Sequence, residues 1–181
     1  MGGLRCVDGS FLRVTPVACR DSVGRPYEIT LELCRDGEPY GIVGERCGWL
    51  LARLARGVEA ARTGQAGRWP DPDDRFPGTD GELFAFRYRS RRGERSGGEL
   101  RCQLRTIPVW LPGSGERGEW RLTRRAYVEA WGVHGGGARA VLTSAELAGF
   151  VRGLVDEAAG CLDREDPAGN PIRGADTGET R

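Results

Sequence analysis

Residues 27–62 read YEITLELCRDGEPYGIVGERCGWLLARLARGVEAAR, and this run decides the fold class. Tyr27, Ile29, Leu31 and Leu33 alternate with polar residues, the pattern of a strand with one buried face. Asp36-Gly37 follows, a pair suited to the tight turn of a hairpin because Gly accepts positive φ. Tyr40 to Val43 is the returning strand. From Cys47 to Arg62 the period changes. Leu50, Leu51, Leu54 and Val58 recur at helical spacing, with Arg53, Arg56 and Glu59 outside the stripe. Trp49 opens this helix and is expected in the core.

The same order returns at about 120–159. Glu119 to Gly132 is rich in Trp, Tyr, Val and Thr, which favour strands. Gly135-Gly136-Gly137 makes a turn, and Ala138 to Leu142 returns. Thr143-Ser144-Ala145-Glu146 is a capping box, in which the Thr hydroxyl and the Glu carboxylate satisfy each other's backbone amides. Leu147, Phe150, Val151 and Leu154 then form the apolar stripe of a helix running to about Ala159, with Gly160 as its stop. A shift of 96 residues lays Leu51, Leu54, Arg56 and Gly57 over Leu147, Phe150, Arg152 and Gly153. Elsewhere, 1–10 is a Gly-bearing lead-in and Phe11 to Val17 a first strand. Leu83 to Arg91 is a strand whose hairpin partner is Leu100 to Trp110.

These elements predict an α+β fold: antiparallel sheets with two amphipathic helices packed on one side, built from two strand-strand-helix units. Residues 1–162 form one domain, with halves 11–67 and 82–162 joined by the Pro/Gly/Asp-rich loop 63–81. The tail 163–181 holds one large apolar residue, Ile172, and is expected to be disordered.

Across 181 residues, 27 basic residues meet 26 acidic ones, and every basic residue is Arg. The absence of Lys resembles the codon bias of a GC-rich bacterial genome. No stretch reaches the roughly 18 apolar residues of a membrane helix, and MGGLRCVDGS has no apolar h-region. A cytoplasmic protein without a membrane partner is the expectation. The six cysteines (Cys6, Cys19, Cys34, Cys47, Cys102, Cys161) include no C-x-x-C pair, so a structural zinc site is not expected, and they read as small buried hydrophobes.

Catalytic signals are weak. His134 is the single histidine, and no G-x-S-x-G elbow accompanies it. Gly113-Ser114-Gly115-Glu116-Arg117-Gly118 has the letters of a dinucleotide fingerprint, but a strand follows it where a helix is needed to hold a pyrophosphate. The acids of the 63–81 loop fail the EF-hand spacing, since Arg75 and Phe76 stand where a ligand and a Gly belong. The reading is therefore a non-catalytic binding protein with no metal and no cofactor, which contacts a protein partner through a sheet or loop surface.

Alternation in Leu83 to Arg91 puts Phe84, Phe86 and Tyr88 on one side and Arg87, Arg89 and Arg91 on the other. Arg101 and Arg105 share a face of the partner strand, as do Arg121 and Arg125 of the next. Should register bring the Arg sets together, Arg87, Arg89, Arg91, Arg101 and Arg105 would make an anion-binding hairpin, and nucleic acid is the second partner class. Trp69 and Phe76, in the long loop, are candidate contacts for a protein partner.

Overall fold

The computed structural model describes residues 2–63, 80–87, 97–113, 118–132 and 136–163. Four strands, β1 (Gly2–Arg5), β2 (Phe11–Arg20), β3 (Pro26–Arg35) and β4 (Glu38–Arg46), form an antiparallel meander followed by helix α1 (Cys47–Thr63). Then β5 (Gly81–Arg87), β6 (Glu99–Leu111), β7 (Glu119–Trp131) and β8 (Gly137–Leu142) form a second meander, followed by α2 (Ser144–Asp163). The fold is α+β, and each unit is four strands and a helix. The two helices pack against each other, and each also reaches the other unit's sheet: α2 lies on β2 and β1, α1 on β5.

Local chemistry explains the best-defined elements. Asp36 and Gly37 both take positive φ, 51° and 89°, the turn that matches strand twist and sets Arg35 opposite Glu38. At the start of α2, Thr143 N–H donates to Glu146 Oε2 at 2.8 Å and Glu146 N–H donates to Thr143 Oγ1 at 3.2 Å, which is the capping box.

One hydrophobic core takes residues from both sheets and both helices, among them Leu12, Ile29, Leu50, Phe86, Leu100 and Leu154. Its tightest point is where β4 crosses the ends of β6 and β7. A Cβ on Gly41 would lie 3.2 Å from Gly98 Cα, and one on Gly98 would lie 2.9 Å from the Trp131 carbonyl oxygen. Among the described residues, two single backbone bonds pin the sheets together: Gly98 N–H to Ile42 O at 2.7 Å and Val7 N–H to Arg139 O at 2.8 Å.

Several readings of the sequence are corrected. The lead-in contains a strand, β1, paired on β2 from Gly2↔Val14 to Arg5↔Phe11 and anchored by the buried Leu4. Gly160 does not stop α2, which continues to Asp163. Tertiary bonds hold that last turn: Cys161 Sγ donates to Pro16 O at 3.2 Å, and Arg20 Nη2 donates to Cys161 O at 2.8 Å. Trp49 is 60% exposed, because Leu50 and Leu54 take the core stripe and Trp49 sits one residue off it. The helices also align one residue differently. Leu50 matches Leu147 and Leu54 matches Val151, all four fully buried, whereas Leu51 is only partly so. Cys6 and Cys102 are core residues, and Cys19, Cys34 and Cys161 are half-buried free thiols. Burial pushes the Cys102 thiol far above its ordinary pKa, with the Glu129 charge adding to the effect. His134 and the tail from 164 onward lie outside the described residues.

Candidate functional site

The strands of the second sheet differ in length, and that difference builds an arm. β6 and β7 each have 13 residues, against 7 in β5 and 6 in β8. β5 pairs no further along β6 than Leu104, and β8 no further along β7 than Ala126. Beyond these, among the described residues, Arg105–Leu111 and Glu119–Arg125 pair only with each other. At 3.3 Å per residue this two-stranded ribbon is about 20 Å long.

Alternation gives the arm two faces. One continues the core face of the sheet, where Leu100, Cys102, Leu104, Ala126 and Val128 are buried. Past the core it carries Pro108 opposite Leu122 and Trp110 opposite Trp120. Here the apolar pattern runs into solvent: Trp110 is 48% exposed, Trp120 68% and Leu122 70%. The indoles meet edge-to-face with centroids 5.4 Å apart. With Pro108, these side chains expose on the order of 400 Å² of apolar surface, since a Trp alone offers 150–250 Å². That equals the largest patch an ordinary monomer shows, and such patches are often functional.

The base of this face is tied down by Asp80. Its carboxylate accepts from Thr106 N at 2.9 Å, Thr106 Oγ1 at 2.8 Å and Arg124 Nε at 3.0 Å. These bonds, those from Thr106 foremost, hold the Asp80 carboxyl below the ordinary carboxylate range. They also show that the Thr106 amide points away from β7. Position 108 points the same way, and proline there removes the next donor on the open edge. Pro108 therefore interrupts that edge as a template for strand addition.

The other face of the arm continues the sheet's outward face, and here the register left open by the sequence is fixed. Ala85 pairs with Arg101 and Arg87 with Glu99, so Arg87, Arg101 and Arg105 share one face, with Arg121, Arg125 and Arg139 beside them. Most of these guanidinium groups have acidic partners. Arg87 pairs with Glu99 at 3.0 Å and Arg121 with Glu119 at 2.5 Å. Glu129, 1% exposed, is gripped by Arg101 at 2.8 Å and Arg139 at 2.7 Å. Arg101 lies 4.2 Å over the Trp131 ring and Arg105 5.1 Å over Tyr127.

Arg89, Arg91, Trp69 and Phe76 lie outside the described residues. The sequence reading missed Trp110, Trp120 and Leu122 as surface residues, because their parity is that of core positions. The mismatch in strand length was the signal that could have found them. Gly113 and Gly118 flank the connection between two antiparallel strands, so no helix follows the G-x-G-x-x-G letters. Among the described residues no group of three or more His, Cys, Asp or Glu side chains could hold a metal, and no helix is long and apolar enough to cross a membrane. Comparison of the chain with protein-family models, with curated proteins and with solved structures gives no match.

Proposed function

We propose that this chain is a binding protein that docks a protein partner on the apolar face of the β6–β7 arm. The observation that carries the reading is the exposed continuation of the core face through Pro108, Trp110, Trp120 and Leu122. Its chemistry favours a protein over an anionic polymer. The one cation named on that face, Arg124, is bound to Asp80, so the surface offers indole and aliphatic contacts beside a neutral ion pair. Trp is among the residue types enriched at the centres of protein interfaces. The interruption at Pro108 adds that the partner does not extend the sheet by a strand along the β6 edge.

Affinity capture from a lysate of the source organism tests this, with the parent chain set against Trp120→Ala/Leu122→Ser. Apolar docking predicts a protein retained by the parent through a high-salt wash and lost with the double variant. An identical set of proteins on both baits, or none on either, would sink the reading.

A further inference from the structure

The edge of a sheet exposes main-chain groups that can pair with another strand, and this fold closes its edges in several ways. β1 has only 4 residues. β4 and β8 each accept a backbone bond from the other unit, at Ile42 O from Gly98 N–H and at Arg139 O from Val7 N–H. Ala85 O of β5 accepts from Arg53 Nη1 at 2.7 Å. On the β6 side of the arm, Asp80 holds the Thr106 amide and Pro108 removes the next donor. The β7 side is different. Along an antiparallel ladder, the main-chain groups of opposed residues point alternately toward each other and away. The Thr106 amide points away from β7, so Arg124, Leu122 and Trp120 present theirs away from β6. β8 would cover them, but it ends at Leu142, opposite Ala126, where Glu146 takes the Thr143 N–H and the chain turns into α2. Among the described residues, Trp120 and Leu122 meet no strand on that side.

We propose that this β7 edge pairs with the same edge of a second copy of the chain, antiparallel about a two-fold axis through Leu122. The register follows from length and charge. Only an axis through a residue sets outward-pointing groups against outward-pointing groups. An axis at Leu122 brings Glu119 opposite Arg125 of the second copy, which fills the edge from the turn to the end of β8. It also sets Trp120 opposite Arg124, Arg121 opposite Thr123 and Leu122 opposite itself, so no like charges are opposed. An axis at Arg121 would oppose two Arg121 guanidinium groups. An axis at Thr123 would oppose Arg121 to Arg125 and drive Glu119 onto Tyr127, where β8 already pairs. An axis at Trp120 would pair only 118–122. Glu119 and Arg125 keep their contacts within the chain, to Arg121 and Thr123, since the register asks only that like charges not be opposed. Pairing along the edge leaves both apolar faces open on one side of the joined ribbon, so the dimer does not rest on the protein-docking reading.

Sedimentation equilibrium of the full chain under reducing conditions tests the proposal, up to about 200 μM because one strand pair is an interface at the weak end of the range. The parent should reach a monomer–dimer equilibrium. Leu122→Pro removes the axial N–H from both copies, as Pro108 does on the other edge, and should weaken the dimer at least about tenfold with little change in Tm. Leu122→Ser keeps that N–H and should stay within about fivefold of the parent. Glu119→Arg opposes like charges twice and should weaken the dimer about fivefold or more, and Arg125→Glu in the same chain should recover most of the loss. A monomer at every concentration, or a dimer indifferent to Leu122→Pro and Glu119→Arg, would overturn the proposal. So would a dimer lost as fully with Leu122→Ser as with Leu122→Pro, which would mean that the apolar faces pack on each other. If Leu122→Pro does not fold, Glu119→Arg decides: a loss recovered by Arg125→Glu supports the pairing, and no loss or no recovery overturns it.

Discussion

Trp110 and Trp120 face each other across β6 and β7, and both stand in solvent on a ribbon that neither β5 nor β8 flanks. A cross-strand aromatic pair contributes about 0.5–1.5 kcal/mol, whereas a core Trp costs about 3–5 kcal/mol on truncation. Trp120→Ala should therefore lower stability by no more than about 1.5 kcal/mol in urea unfolding. A loss in the core range would mean that this chain itself covers the indole.

Glu129 behaves differently from the other acids of its face. It is buried, with one carboxylate oxygen on Arg101 and the other on Arg139. Glu129→Gln should cost about 1.5–3 kcal/mol, the range for hydrogen bonds to charged groups. Glu119→Gln, which breaks the exposed pair with Arg121, should stay within about 0.5 kcal/mol. Equal losses at the two positions would contradict the burial described for Glu129.

Asp80 gives the arm a pH signature. Its carboxyl is held low, first by the Thr106 amide and hydroxyl and then by Arg124. A carboxyl lowered on folding stabilises above its unfolded pKa, near 3.9, and loses that contribution as pH falls through the folded value. The Thr106 amide resonance should therefore shift on the acid side of about pH 4, and Asp80→Asn should abolish that shift. A midpoint at or above the ordinary aspartate value would contradict the bonding described.

Gly98 marks where the two units close on each other. Its added Cβ would meet backbone, the Trp131 carbonyl, which cannot swing aside as a side chain can. Gly98→Ala should cost about 1–3 kcal/mol by overpacking. Gly160→Ala, with open space around the added methyl, should not destabilise.

What the sequence made legible was local chemistry. The Asp36-Gly37 turn and the Thr143–Glu146 box each depend on residues a few positions apart, and both appear as read. The parity of Phe84 and Phe86 against Arg87 was equally local. Pairing between strands was not legible. An irregularity between Glu82 and Phe84 sets which residues of β5 and β6 lie opposite, and nothing in either strand announces it. The site suffered most from this, because whether Arg87, Arg101 and Arg105 share a face is a matter of register. Trp110 and Leu122 carry an alternation that means core in the body of a sheet and surface in its overhang, so only the lengths of β5 and β8 separate the two. β1 was hidden by having Leu4 as its single large apolar residue.

The most direct test of the docking face is site-specific photo-crosslinking in cells of the source organism, with a photoreactive residue placed in turn at 108, 109, 110, 120, 121 and 122. Residues 108, 110, 120 and 122 lie on the apolar face, and 109 and 121 on the other. The account predicts one discrete protein adduct from the four even positions and none of that mass from the two odd ones. An adduct from both parities alike, or from neither, would contradict it.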